Sequence, residues 1–272
     1  MCMDTTTEGK HGSGVRNLMN KSKVEWCDYT FNPVTGCLHK CEYCYARKIA
    51  SRFGKFCKID QVNIKTVGSG QHTCVEVEYK QDTPYPEMFT PTLHKYRLGE
   101  PAQKTKPQNI FVCSMADLFG EWVPDSWIKE VFEACEAAPQ HRYLFLTKNP
   151  ERYCKLADVG KLPELDNFWY GSTITKPGES MFAGSIHWNT FLSIEPLLAP
   201  IDVGIGSFGG AKWIIVGAET GNRTGKIIPE RAWIEKIIDA ARMTGAAVFL
   251  KNSLLEVMEG EFIQEYPWEV QE

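Results

Sequence analysis

The chain has 272 residues, 43% of them hydrophobic, with 30 Lys and Arg against 34 Asp and Glu and a formal net charge of −4. This is ample for one large core and argues against a protein that coats nucleic acid nonspecifically, while leaving room for a local basic groove. No run of eighteen apolar residues exists, so no transmembrane helix is expected.

The start, Met1 to Gly14, is polar and lacks the apolar stretch of a signal peptide, which predicts a cytoplasmic location. Ten cysteines without an export signal then read as reduced thiols plus a metal site. Residues 1–22, rich in Thr, Gly, Ser and Lys, predict a disordered tail. Val24 to Phe31, carrying Trp26, Tyr29 and Phe31, predicts the first strand.

Directly behind it, residues 32–46 (NPVTGCLHKCEYCYA) hold Cys37, Cys41 and Cys44 at C-x3-C-x2-C spacing. Three thiolates this close can share one metal centre, and soft thiolates select zinc, copper(I) or an iron–sulfur cluster. A [4Fe–4S] cluster usually takes four cysteines, so a three-cysteine loop leaves one iron open to another ligand. His39 lies inside the loop and keeps a Cys3His zinc site open as an alternative. Structural zinc sites, however, usually come as two separated ligand pairs, and no second pair is visible. Tyr43 to Phe53 predicts a helix stopped by Gly54.

Residues 55–108 form an irregular insertion. Val62 to Lys65 and Cys74 to Tyr79 alternate well enough for a small hairpin around Val67-Gly68-Ser69-Gly70, and the proline-rich remainder predicts loop. His94, Lys95, Arg97, Lys104 and Lys106 make it locally basic, either as a solvated surface or as a contact for phosphates or an acidic substrate.

From 109 onward, short apolar runs recur at Asn109–Cys113, Arg142–Leu146, Phe168–Gly171, Thr190–Ile194, Trp213–Val216 and Ala247–Leu250. Such runs suit parallel strands covered on both faces. Amphipathic helices are predicted over Ser126–Ala138 and Pro229–Thr244, the second stopping at Gly245. The expected fold is α/β: a parallel (β/α) partial barrel of about six to seven strands over 23–253, with 254–272 as a C-terminal extension.

Polar residues follow the strands: Ser114 and Asp117, Thr147 and Lys148, Ser172 and Thr173, Ser193 and Glu195, Glu219, then Lys251 and Asn252. Barrel active sites lie at the carboxyl ends of strands, the end that also carries the cysteine loop. Two glycine patterns are set aside. Gly204-x-Gly206-x-x-Gly209 precedes a strand instead of opening a helix, and Gly221 to Lys226 is one residue short of a phosphate loop. Both predict turns, with Gly217 and Gly221 allowing close backbone approach to a ligand.

The cysteine spacing, with Tyr43 before the last cysteine, resembles the radical S-adenosylmethionine (SAM) superfamily. The resemblance implies a [4Fe–4S] cluster on Cys37, Cys41 and Cys44, SAM on the open iron, and Tyr43 packed beside the cluster. It also implies reductive SAM cleavage to a 5′-deoxyadenosyl radical, fed by an electron donor such as flavodoxin or ferredoxin. Several segments, among them Asn32–Cys37, Phe111–Phe119, Phe191–Ile201, Trp213–Gly221 and Phe249–Asn252, resemble a phage-associated domain-of-unknown-function family grouped with those enzymes. Carried over by position, Ser114 and Asp117 would hold the SAM amino group, and Ser193 and Glu195 the ribose. Lys148, Glu219 and Lys251 would meet the substrate or the SAM carboxylate. A nucleic acid base, as in radical SAM lyases that repair photodamaged DNA, is a compatible substrate, as is a peptide or small metabolite. From other classes stand a noncatalytic zinc or Fe–S module and a hydrolase or nuclease placing a hard metal on Asp117, Glu195 and Glu219.

Overall fold

In the computed structural model, the described residues are 19–56, 63–67, 72–80, 83–183, 186–201, 208–260 and 262–269. Among these described residues twelve strands are formed: β1 (Asn20–Lys21), β2 (Tyr29–Phe31), β3 (Val34–Thr35), β4 (Asn63–Val67), β5 (His72–Val77), β6 (Thr92–His94), β7 (Asn109–Val112), β8 (Arg142–Thr147), β9 (Phe168–Thr173), β10 (Asn189–Ile194), β11 (Trp213–Val216) and β12 (Ala247–Leu250). The helices are α1 (Tyr45–Phe53), α2 (Asp125–Glu136), α3 (Glu151–Asp158), α4 (Arg231–Thr244) and α5 (Leu255–Met258). Among the described residues, no helix is long and apolar enough to cross a membrane.

The main sheet is eight-stranded, in the order β1-β2-β7-β8-β9-β10-β11-β12. Only β1 runs antiparallel; from β2 to β12 every neighbour is parallel. Alternation along each strand divides the apolar side chains between two faces. On the outer face Val112, Phe145 and Tyr170 pack with Trp127, Val131 and Phe132 of α2 and Tyr153 of α3. Farther round, Ile194, Ile214 and Val248 pack with Ile234, Ile237 and Ala241 of α4. On the inner face Phe111, Leu144, Trp169, Phe191, Trp213 and Phe249 form one cluster with Trp26.

That inner cluster shows the sheet to be curled. The Trp26 ring lies 4.7 Å from Phe111, 6.1 Å from Phe191 and 6.2 Å from Trp213, side chains of three different strands. The ends of the parallel run also meet: the Asn252 amide donates to Glu25 Oε2 at 2.7 Å. Beneath, Tyr266 and Trp268 of the C-terminal segment pack on Trp213 at 5.6 and 5.2 Å. Fully burying an aromatic of this size contributes on the order of 2–3 kcal/mol, so the inner layer is a packed floor and not a channel.

Several expectations shift. Met19 is buried and Asn20–Lys21 pair with Tyr29–Thr30, so order begins inside the expected tail. The first strand is short because residues 24–27 turn, Cys27 N donating to Val24 O, which drops Trp26 into the inner cluster. The insertion is more than a hairpin. β4 and β5 pair antiparallel as predicted, with the turn at 68–71 outside the described residues. The stretch expected as loop contributes β6, which joins β3 and β5 in a four-stranded sheet of order β3-β6-β5-β4. Sequence pattern missed it because β6 is only three buried residues directly after Pro91, held by the His94 Nε2–Thr35 Oγ1 bond at 2.8 Å. The basic stretch is largely internal wiring. Lys95 pairs with Glu76 and Glu78, Arg97 donates to the Asn32 carbonyl, and Lys104 caps the Tyr29 ring at 3.8 Å. Its reading as a phosphate contact is therefore withdrawn for these residues. Of the Gly204 pattern, residues 204 and 206 lie outside the described residues.

Candidate active site

At the carboxyl ends of the strands the concave face opens into a cavity of about 350 Å³, within the range of small-molecule sites. Cys37, Cys41, Tyr43 and Cys44 line one wall; Ser114, Asp117, Lys148, Ser193, Glu195, Glu219 and Lys251 line the others; Trp26 and Phe111 form part of its floor. The structure thus brings every side chain named above as a candidate ligand, cofactor contact or catalytic group to one space. Thr147 and Thr173 join them, whereas Ser172 faces the other way and accepts from Phe182 N at 2.9 Å.

The cysteine loop is shaped by its backbone. Gly36 sits at φ +87°, and a Cβ there would come within 2.2 Å of the Thr90 carbonyl oxygen, so only glycine fits. Gly36 N donates to Met115 O at 3.0 Å and Cys37 N to Phe89 O at 3.3 Å, pinning the loop between the rim and the insertion. Arg47 Nη2 donates to the Cys37 carbonyl at 3.3 Å. Cys44 caps α1, its sulfur accepting from Arg47 N at 3.3 Å. The positive end of the α1 dipole therefore points at a thiol. Burial pushes the Cys37 thiol up to about 12, so it ionises only against a bound cation, and metal coordination removes such a proton outright.

Asp117 is expected to grip a ligand's amino group, yet its carboxylate is already saturated. Oδ1 accepts from Thr147 Oγ1 at 2.7 Å and Phe119 N at 3.0 Å. Oδ2 takes Lys148 N at 2.9 Å and pairs with His39 Nε2 at 2.7 Å. A carboxylate offers about four acceptor positions, so Asp117 braces the cysteine loop, through His39, to the ends of β7 and β8. Ser114 is likewise engaged, its hydroxyl donating to Asn32 Oδ1 at 3.1 Å and its carbonyl accepting from Tyr45 at 2.7 Å.

Glu195 and Lys251 form an ion pair across the ends of β10 and β12. A Cβ on Gly217 would stand 3.0 Å from Lys251 Cδ and 3.2 Å from Glu195 Cγ, so the glycine lets this pair close. Glu219, buried on the wall, is held bidentately by Arg223 at 2.7 and 2.8 Å. Arg223 keeps the Glu219 carboxyl below the ordinary range and reaches Glu42 of the cysteine loop at 3.5 Å. Lys148 differs: its ammonium lies 5.4 Å from the Tyr43 ring centroid, with no carboxylate in ion-pairing reach among the described residues. Burial lowers its pKa, against the pull of Cys41 and Glu179.

Among the described residues, no three His, Cys, Asp or Glu side chains are gathered closely enough to hold a single metal ion. A tetrahedral zinc with Zn–S bonds of about 2.3 Å needs its sulfurs within roughly 3.8 Å of one another. The His39 ring pairs through Nε2 with Asp117 and packs T-shaped against the Trp122 ring, 4.8 Å away. All three acids line the cavity: Asp117 takes four donors, Glu195 pairs with Lys251 through one oxygen, and Glu219 is held by Arg223. Three free thiols of one loop on one wall are the donor set that a cluster takes, each cysteine on a different iron.

A family model described as "Protein of unknown function (DUF5131)" matches residues 21–261. The chain belongs to the DUF5131 family. No curated protein matches it. Among solved structures, spore photoproduct lyase complexed with dinucleoside spore photoproduct superposes with a TM-score of 0.48 at 12% identity, covering 88% of this chain and 81% of that one. A variant of the lyase with bound AdoMet and dinucleoside spore photoproduct gives 0.46 at 11% identity, covering 93% and 80%. Likeness at this level carries no weight for the chemistry, which rests on the residues of this DUF5131 chain.

Sequence reasoning missed three of those residues. Arg223 sits inside the stretch dismissed as a failed phosphate loop, Asn32 ties the end of β2 to the rim turn, and Lys48 lines the cavity mouth one turn into α1. Only Lys48, in register with the cysteines on a predicted helix, left a usable signal.

Proposed function

We propose that this chain is a radical SAM enzyme: a partial (β/α) barrel of seven parallel strands over residues 23–253, with a [4Fe–4S] cluster held by Cys37, Cys41 and Cys44. The observation that carries it is the shared cavity, in which three thiols of one short loop face a rim of two lysines, three acids and hydroxyls. When bound, the cluster and SAM supply one electron and a 5′-deoxyadenosyl radical that removes hydrogen from a substrate.

The chain's own groups bind, orient and exclude water. Lys148, held over Tyr43 without a carboxylate partner, offers its ammonium to the SAM carboxylate. Glu195 keeps one oxygen for Lys251, and the other can accept from a ribose hydroxyl beside Ser193. Trp26 and Phe111 close the floor with apolar surface, which keeps a reactive intermediate from water. Glu219 and Arg223 close the opposite wall onto the cysteine loop. The open side, where Lys48 stands, suits a substrate with acidic or phosphate groups, and a nucleic acid base is one such substrate. Asp117 serves as a positioning residue for the cysteine loop and is no longer assigned to the SAM amino group.

The test is anaerobic reconstitution with iron and sulfide, then incubation with SAM and dithionite. The reading expects 5′-deoxyadenosine from the native chain and none from Cys37→Ala, Cys41→Ala or Cys44→Ala. Formation of 5′-deoxyadenosine that survives those changes removes the assignment.

A further inference from the structure

The proposed chemistry needs one electron from outside the chain, and the segment that carries Cys41 and Cys44 is rich in cations. Residues 40–56 contain five cations (Lys40, Arg47, Lys48, Arg52, Lys55) and a single acid, Glu42, in a chain whose net charge is −4. Glu42 is already paired with Arg223. Arg52 and Lys55 have no ion-pair partner among the described residues and are exposed. Phe53 and Phe56 stand beside them, 53% and 76% exposed, with the Arg52 guanidinium 5.2 Å from the Phe53 ring. Lys40, exposed and in the left-handed region at φ 58°, extends the charge to the cysteine loop itself.

The geometry of α1 links this patch to the thiols. Cys44 is the N-cap of α1, and at about 1.5 Å rise per residue Arg52 lies roughly 12 Å along the axis from it. The buried side of the helix, Ala46 and Ala50, is turned to the core and Arg47 is engaged by the Cys37 carbonyl and the Phe89 ring, which leaves Arg52 and Phe53 outward. A cationic surface around exposed aromatics has the composition of a docking site: charge steers an acidic partner, and aromatic rings supply apolar contact area.

Resting on the radical SAM reading above, we propose that the exposed side of α1 together with Arg52, Phe53, Lys55 and Phe56 docks an acidic one-electron carrier protein. The carrier is oxidised by one electron and the cluster is reduced by one; no proton or leaving group moves in the step. Electron transfer weakens steeply with distance, so a carrier seated on the helix that begins at a ligating cysteine is well placed.

The experiment compares reconstituted native protein with Arg52→Glu/Lys55→Glu and with Phe53→Ser/Phe56→Ser. Cluster bleaching is followed in stopped flow with two reductants, photoreduced flavodoxin and dithionite. Reversing two cations lowers the flavodoxin rate at low salt roughly tenfold or more and flattens its salt dependence; the serine pair slows it as well. Dithionite, which needs no docking, bleaches all three alike. A flavodoxin rate unchanged by the charge reversal overturns the proposal. So does unchanged flavodoxin reduction combined with lost binding of a labelled oligonucleotide, which would give the face to nucleic acid. If dithionite bleaches nothing in any of the proteins, the cluster reading itself has failed, and the proposal with it.

Discussion

Replacing Asp117 by Asn tests the bracing role directly. The carboxylate is 5% exposed and takes four partners at 2.7–3.0 Å, two of them the backbone N–H groups of Phe119 and Lys148. An amide keeps one oxygen. Whichever way it is turned, its NH2 faces one of those N–H donors, because one sits on each carboxylate oxygen. Thr147 and the His39 ring can turn or change tautomer to accept; a backbone N–H cannot. One buried donor left unsatisfied costs about 1–3 kcal/mol, and the other bonds lose their charge-assisted strength. The sum is about 2–4 kcal/mol. For a chain of this size that lowers Tm by roughly 5–12 °C. Near-UV circular dichroism of the metal-free protein reads it. Iron uptake should fall in parallel, since His39 then no longer ties the cysteine loop to the rim. A Tm within ~1 °C of native would refute the bracing role.

Gly171 has no room for a side chain, since a Cβ there would stand 2.3 Å from the Phe191 ring. Gly171→Ala should destabilise by about 1–3 kcal/mol through overpacking, read as a lower urea midpoint; an unchanged midpoint means the inner layer can yield. Arg223→Ala should be pH-dependent in its effect. Arg223 holds the Glu219 carboxyl below its ordinary range, so the pair stabilises the fold above the usual carboxylate pKa of about 4.3 and loses that contribution as pH falls through the lowered value. The stability gap between native and variant is therefore widest near neutrality and narrows in acid. A gap of the same size at both ends contradicts the pairing.

Much of the main sheet was legible because its strands are buried on both faces. Runs such as Trp213–Val216 and Ala247–Leu250 carry β-branched and aromatic residues without polar interruption, and their boundaries match the structure to the residue. The α4 pattern was readable for a related reason: its apolar stripe ends at Gly245, which takes the left-handed cap. The small sheet was opaque because β3 and β6 are two and three residues long and gain their partners across about sixty residues of chain. α3 escaped notice because only Tyr153 and Leu156 mark its buried side. At the site, residue types after each strand pointed to the cavity, but not to how each is used. Asp117 and Glu219 read alike in sequence; one is locked by backbone amides and the other by Arg223, and those partners come from folding alone.

The most direct test of the central claim is iron, sulfide and zinc content with the visible spectrum of protein prepared without oxygen, native and Cys41→Ala side by side. The account predicts about four irons and four sulfides per native chain with broad absorption near roughly 400 nm, both lost in the variant. A colourless native protein loaded with zinc, or iron content indifferent to loss of the Cys41 thiol, would contradict it.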